Sequence, residues 1–165
     1  MWFTFAPMTL EDARLITAWR YPDAYAAYDF GSDPGELLGT LSPFCAAHDE
    51  QGSLVGFCCF GTTADVSEMG EPRLFSGSDR TLSVGLGLRP DLTGQGIGLS
   101  FVTAILDFAR SQFAPDAFRL YVLTWNHRAR RVYERAGFVS QGVVTNYAGY
   151  EFLEMRLEYR ADEDL

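Results

Sequence analysis

The stretch "LTGQGIGLSF", Leu92 to Phe101, places Gly94, Gly96 and Gly98 directly ahead of a run with helical periodicity. Glycine loses more backbone entropy on folding than any other residue, so three of them at a helix entrance call for a compensating role. A helix start leaves several N–H groups without partners and carries partial positive charge, and an anion binds there without any charged side chain. Missing side chains at Gly94, Gly96 and Gly98 would let such N–H groups converge on a phosphate. Upstream, "TLSVGLGL", Thr81 to Leu88, reads as a strand. Downstream, Phe101, Ile105 and Phe108 form one row and Val102, Leu106 and Ala109 a neighbouring one, a wide apolar helix stripe.

Two common phosphate motifs fail against these letters. The pattern G-x-x-x-x-G-K-[ST] is absent, and the 13 basic residues include no lysine to complete one. A G-x-G-x-x-G motif begun at Gly94 meets Leu99, and begun at Gly96 it meets Phe101.

Around this unit the chain alternates strand and helix signals. "MWFTF" has strand composition, and Thr9 followed by Glu11 and Asp12 reads as the N-cap of a helix running to about Trp19. Tyr21, Tyr25 and Tyr28 fall at helical spacing, as core rings or as a substrate-side wall. A short helix near "DPGELLGTL" follows. Then "FCAAHDEQGSLVGFCCFG" reads as a hairpin turning at "DEQG", and residues 62–80 as a loop or two-stranded excursion. "RLYVLT" is a strand, and "NHRARRVYERAGF" a helix with Gly137 at its C-terminal cap. Two last strands lie around "FVSQGVV" and "YEFLEMRLEY". The order predicts an α+β, mixed-sheet, single domain over 1–165, with a frayed acidic tail at about 161–165.

Composition narrows the partners. A content of 47% hydrophobic residues suits one globular domain with a full core, and no apolar run reaches the ~20 residues that span a bilayer. A cytoplasmic protein is expected, since the start lacks the basic region and cleavage site of a signal peptide. Net charge of -9 argues against nucleic acid and anionic membranes and suits a cationic substrate. Arg119, Arg128, Arg130, Arg131 and Arg135 nevertheless cluster in sequence, which hints at a phosphorylated ligand. Cys45, Cys58 and Cys59 lack metal-ligand spacing, and we expect them to be structural, with no metal site.

The segment Thr93-Gly94-Gln95-Gly96-Ile97-Gly98 resembles the pyrophosphate loop of the GNAT superfamily of acyl-CoA-dependent N-acetyltransferases, matching at Gly96 and Gly98 and departing at Thr93, where the family has Arg or Gln. Asn126, Tyr133, Gly137 and Phe138 fit the superfamily's later motif, in which Asn opens a helix that carries a Tyr and ends in Gly-Phe. The resemblance covers nearly the whole chain. It implies a mixed, mostly antiparallel sheet with splayed central strands and about four flanking helices, and acetyl-CoA as cosubstrate. It implies that Leu86, Gly87 and Leu88 offer backbone hydrogen bonds to the pantetheine and thioester. Thr93, Gly94, Gln95, Gly96, Ile97, Gly98 and Leu99 would hold the pyrophosphate.

Asn126 would touch the pantetheine arm or a water, or serve as an N-cap, or both. Tyr133 would be the general acid to the departing thiolate, whose conjugate acid has a pKa of about 8.5 against about 10 for a phenol. The plainer role for Tyr133 is packing on the core. Arg128, Arg130 and Arg131 reach the cofactor phosphates or form a solvated helix face. No carboxylate stands on either expected splayed strand, which leaves a weakly basic acceptor amine or a water-mediated base from Asp65, Glu68 or Asp91. The expected activity is direct acetyl transfer to a primary amine of a small molecule or peptide. The alternative is a non-catalytic acyl-CoA sensor. The resemblance also brings the expectation of a homodimer paired through an exposed edge strand.

Overall fold

The computed structural model describes residues 1–39, 44–66, 72–77 and 79–158. The acidic tail and Glu68 lie outside them. Thr9 caps the first helix as its sequence predicts: its hydroxyl accepts from Asp12 N–H at 3.1 Å, and the Asp12 carboxylate accepts from Thr9 N–H at 3.3 Å. That helix, α1, covers Leu10–Thr17 and follows strand β1, Thr4–Pro7. The tyrosine segment is a 3-10 turn, Asp23–Tyr28, and the next short helix is also 3-10, Pro34–Leu37. Strands β2, Phe44–His48, and β3, Leu54–Phe60, form the expected hairpin, whose turn is held by the Asp49 carboxylate accepting from Gln51 and Ser53 N–H, both at 2.9 Å.

A 3-10 turn at Thr62–Ala64 and the short β4, Phe75–Ser76, lead to β5, Thr81–Leu88, and through the glycine turn to α2, Gly98–Phe113. Strand β6, Ala117–Leu123, helix α3, His127–Arg135, and strands β7, Val139–Thr145, and β8, Glu151–Glu158, complete the chain. The strands form one sheet in the order β1-β2-β3-β5-β6-β8-β7, with β4 also on β5. Every pairing is antiparallel except β5 with β6.

That parallel pairing is short. Thr81, Leu82 and Ser83 oppose Ala117, Phe118 and Arg119, and there the register ends while both strands run on. Beyond that point β5 stays with β3 as far as Leu88, and β6 stays with β8 as far as Leu123. Arg89 fixes the far end of β5 on the β3 side, through its N–H to Val55 C=O at 2.8 Å and its guanidinium to Leu54 C=O at 2.8 Å. Each strand is thus drawn to its outer neighbour, and a wedge opens between them.

Apolar residues cover both faces of the sheet. On one, the α2 stripe of Phe101, Val102, Ile105, Leu106 and Ala109 is buried against Leu82, Val84, Phe118, Leu120, Val122 and Met155. On the other, Ala13 and Ile16 of α1 pack with Leu37 and Phe57, ringed by Trp19, Phe30 and Phe44. The spacing of Phe152, Met155 and Leu157 does not follow strict alternation, but strand β8 alternates: Leu153 and Met155 are buried with the α2 core, and Glu154 lies between them on the opposite face. Among the described residues, no helix is long and apolar enough to cross a membrane.

Ile105 is fully buried in the middle of the α2 stripe. We expect Ile105→Ala to lower unfolding free energy by about 2–5 kcal/mol in a denaturant titration. A loss below about 1 kcal/mol would mean that α2 is not packed on the sheet as described.

Candidate active site

The wedge leaves backbone groups without strand partners. Along β5 the amide groups alternate in direction. Ser83 C=O accepts from Gly61 N–H and Arg89 N–H donates to Val55 C=O, so Ser83, Gly85, Gly87 and Arg89 point towards β3. Leu86 and Leu88 therefore point into the wedge. Gly87, expected from sequence to share that duty, contributes its missing side chain: a Cβ there would lie 2.4 Å from the Phe57 ring.

At the far end of β5, "RPDLTGQG" folds back on itself. Thr93 donates its hydroxyl to Pro90 C=O at 2.8 Å, and Gln95 donates its side-chain amide to Asp91 C=O at 3.0 Å. Both polar residues stabilise the loop from within. Gly94 and Gly96 have φ of +72° and +79°, the left-handed region that other residues enter at a cost. Gly98 has a different reason, because a Cβ there would stand 3.1 Å from Val132 of α3 and push the two helices apart. Ile97 offers no side-chain acceptor at the N-cap of α2, so nothing on its own side chain occupies the opening N–H groups.

Helix α3 is anchored at both ends. Asn126 caps its start, accepting from Ala129 N–H at 3.2 Å, and donates to the Tyr28 hydroxyl at 2.9 Å. Its end is a Schellman turn: Phe138 N–H reaches Tyr133 C=O and Gly137 N–H reaches Glu134 C=O, both at 3.0 Å, with Gly137 at φ +104°. Phe138 is buried, and its ring meets the Tyr133 ring edge-on at 6.1 Å between centroids. The Gly-Phe ending thereby fixes the position of Tyr133. The Tyr133 hydroxyl makes no hydrogen bond among the described residues. Burial pushes its pKa well above the usual phenol value, with Tyr28 adding to the effect.

A cavity of about 650 Å³ joins these parts. Leu86, Gly87, Leu88, Thr93, Gly94, Gly96, Gly98, Leu99, Asn126 and Tyr133 all line it, whereas Gln95 and Ile97 are not among its lining residues. Arg128 and Arg131 line it too. Arg130 instead pairs with Glu134 at 2.8 Å on the exposed face of α3. Arg128 lies over the Tyr25 ring at 4.4 Å and beside Gly94, bringing to the loop the positive charge that Thr93 does not supply.

The tyrosine turn closes the wedge from outside. Tyr21 donates its hydroxyl to Leu88 C=O at 2.5 Å on the β5 side, and Tyr28 accepts from Asn126 on the α3 side. Tyr25 meets Trp125 edge-on at 5.2 Å. All three tyrosines line the cavity with Phe30 and Phe57, so the wall reading describes them better than the core one.

Neither of the two candidate carboxylates among the described residues stands free at this site. The Asp65 side chain is fully buried and held by Ser83 and Arg119. Exposed Asp91 is clamped by Arg89 at 2.6 Å, and neither residue lines the cavity. Glu68 lies outside the described residues. Arg119, grouped in sequence with the phosphate-side arginines, belongs to the Asp65 cluster instead.

The model of the acetyltransferase (GNAT) family matches residues 7–138. The chain belongs to the GNAT family. Acetyl-CoA is the cosubstrate of GNAT acetyltransferases. The chain is 35% identical over 143 residues to a mycothiol acetyltransferase of Propionibacterium freudenreichii subsp. shermanii, a match spanning 87% of this chain and 36% of that protein. It therefore spans about a third of the length of that curated relative. Among solved structures, AAC(6')-Ib with paromomycin and acetyl-CoA superposes with a TM-score of 0.75 at 20% identity, covering 100% of both chains. A chimera of the spermidine N-acetyltransferase SpeG from Vibrio cholerae superposes at 0.72 and 17% identity, covering 96% of both chains. These likenesses bear on the fold, which is the GNAT fold.

If the glycine turn receives the pyrophosphate, a β-branched side chain at a positive φ should remodel it. We expect Gly96→Val to abolish calorimetrically detectable acetyl-CoA binding while the circular dichroism spectrum is unchanged. Unchanged affinity would show that the turn faces something else.

Proposed function

We propose that this chain is an acetyl-CoA-dependent N-acetyltransferase that moves the acetyl group directly from the thioester to a primary amine of a small molecule or peptide. The observation that carries this reading is the unbonded Tyr133 hydroxyl in the same cavity as the wedge and the uncapped start of α2. The start of α2, with Gly94 to Leu99 and Arg128, would hold the pyrophosphate. Leu86 would pair with the pantetheine arm as a strand would. Asn126 orders α3 and reaches the arm only where its bond to Tyr28 leaves room.

The thioester carbonyl would then lie in the wedge within reach of an amine entering past the tyrosine wall. Attack forms the N–C bond, the C–S bond breaks, and Tyr133 protonates the sulfur. Desolvation raises the proton affinity of phenolate and thiolate together, so their match persists in an apolar site. The curated relative is named a mycothiol acetyltransferase, and the structural neighbours are named for spermidine and an aminoglycoside. Amine acceptors are common to the latter two names, and this supports an amine here.

Two coarser expectations go with the reading. Strand β7 is an edge of the sheet with Val139 and Val143 exposed, which suits pairing in a homodimer. Cys45 and Cys58 are free although opposite each other on β2 and β3, which suits a reducing compartment such as the cytoplasm.

In a screen of primary amines with acetyl-CoA, Tyr133→Phe should lower kcat by about 10²-fold or more with acetyl-CoA affinity unchanged. Equal turnover would remove Tyr133 from catalysis. Because burial raises the Tyr133 pKa, its proton is retained to higher pH, and kcat should show no fall near pH 10, where an ordinary phenol is about half ionised. A descending limb centred there would assign the acid to an unshifted group.

A further inference from the structure

Strand β5 carries no carboxylate at the wedge, and Gly85 shows why none fits. Its Cβ would stand 2.7 Å from Cys59 Sγ, so the position facing the mouth of the wedge has no room for a side chain. The β5–β6 register ends at Ser83 and Arg119, so two residues further on Gly85 pairs only with Cys59 of β3, and Tyr121 only with Glu154 of β8. The two positions flank the fork. Phe118, Leu120 and Val122 of β6 face α2, which puts Arg119 and Tyr121 on the opposite face, the one covered by Phe57 and the tyrosine turn. Tyr121 lines the cavity.

Behind Tyr121 stands a carboxylate. Glu154 is its direct cross-strand partner on β8, and the Tyr121 hydroxyl donates to Glu154 Oε1 at 3.2 Å. Arg119 approaches the same carboxylate at 3.8 Å, but its guanidinium is turned mainly to Asp65 at 3.2 Å and Ser76 at 2.5 Å. Arg156, the next residue on the Glu154 face of β8, pairs with Asp79 at 2.8 Å and Glu158 at 3.7 Å. Glu154 thus bonds a cavity-lining hydroxyl, with Arg119 3.8 Å from the same oxygen and Arg156 paired elsewhere on β8.

We propose that Tyr121 and Glu154 form the exit for the acceptor amine's proton, with Tyr121 touching the amine and Glu154 positioning and receiving through it. This deepens the acetyltransferase reading and rests on it. As the neutral amine attacks the thioester carbonyl, its nitrogen gains positive charge. One N–H proton passes to Tyr121 Oη while the phenolic proton of Tyr121 passes to Glu154 Oε1. The C–S bond breaks with its electron pair going to sulfur, which takes a proton from Tyr133. Glu154 ends as the acid and Tyr133 as the phenolate, and solvent returns one proton from the first to the second. Amine and acetyl-CoA have become amide and CoA, with no proton gained or lost overall.

The test compares wild type, Tyr121→Phe, Glu154→Gln and the double variant on one panel of primary amines. Gln at 154 still accepts the Tyr121 bond but takes no proton, so it separates proton transfer from packing. We expect each single variant to lower kcat by about 10²-fold with KM for acetyl-CoA within about twofold of wild type. The double variant should be no slower than the slower single one, because two members of one relay fail together. Additive losses, or Glu154→Gln at wild-type kcat, would overturn the relay while active wild type left the acetyltransferase reading standing. A wild type that binds acetyl-CoA but acetylates no amine would overturn both.

Discussion

The parallel contact between β5 and β6 lasts for three residue pairs, and the rest of the site follows from its ending there. A continuous ladder would satisfy the amide groups of Leu86 and Leu88 and close the sheet. Because Arg89 ties β5 to β3 and seven register pairs tie β6 to β8, the two strands have better partners on their outer sides. The wedge is thus a product of competition between hydrogen-bonded ladders, and it costs little because a ligand or water can take the unpaired groups. Helix α2 packs against residues of both half-sheets, and its stripe is accordingly almost fully buried.

The residues that line this opening are placed largely by short-range rules. The start of α2 faces it because the turn after β5 needs left-handed backbone at Gly94 and Gly96. Tyr133 faces it because the Schellman turn at Gly137 brings Phe138 under its ring. Asn126 serves two elements at once, capping α3 and holding Tyr28, so the wall and the helix that carries Tyr133 are ordered together.

Local signals made much of this legible in the sequence. The capping box at Thr9, the apolar rows of α2, the hairpin turn at "DEQG" and the Gly-Phe ending of α3 are all encoded within a few residues. What was not legible depends on contacts between distant segments. The tyrosines show helical spacing whether they are core or wall, and only their bonds to Leu88 and Asn126 decide. Arg119 is grouped with Arg128 in sequence, yet its strand faces Asp65, 54 residues earlier. Glu154 could not be matched to Tyr121 without the register of β8, and the spacing of Phe152, Met155 and Leu157 left that register open. Nothing local in the strand pattern shows that Gly85 and Gly87 make room for Cys59 and Phe57.

The tyrosine turn has a consequence for how such a molecule can diversify. It closes the wedge by two hydroxyl bonds and a stacked arginine, and it contributes nothing to the ladders of the sheet. Positions in this segment other than Tyr21, Tyr25, Tyr28 and Phe30, which touch Leu88, Arg128, Asn126 and Phe57, can therefore change without disturbing strand register. On the proposed reading, the wall that would meet the amine and the turn that would hold the cofactor are separate segments joined through Arg128 and Asn126, so the wall can vary where those two contacts are kept.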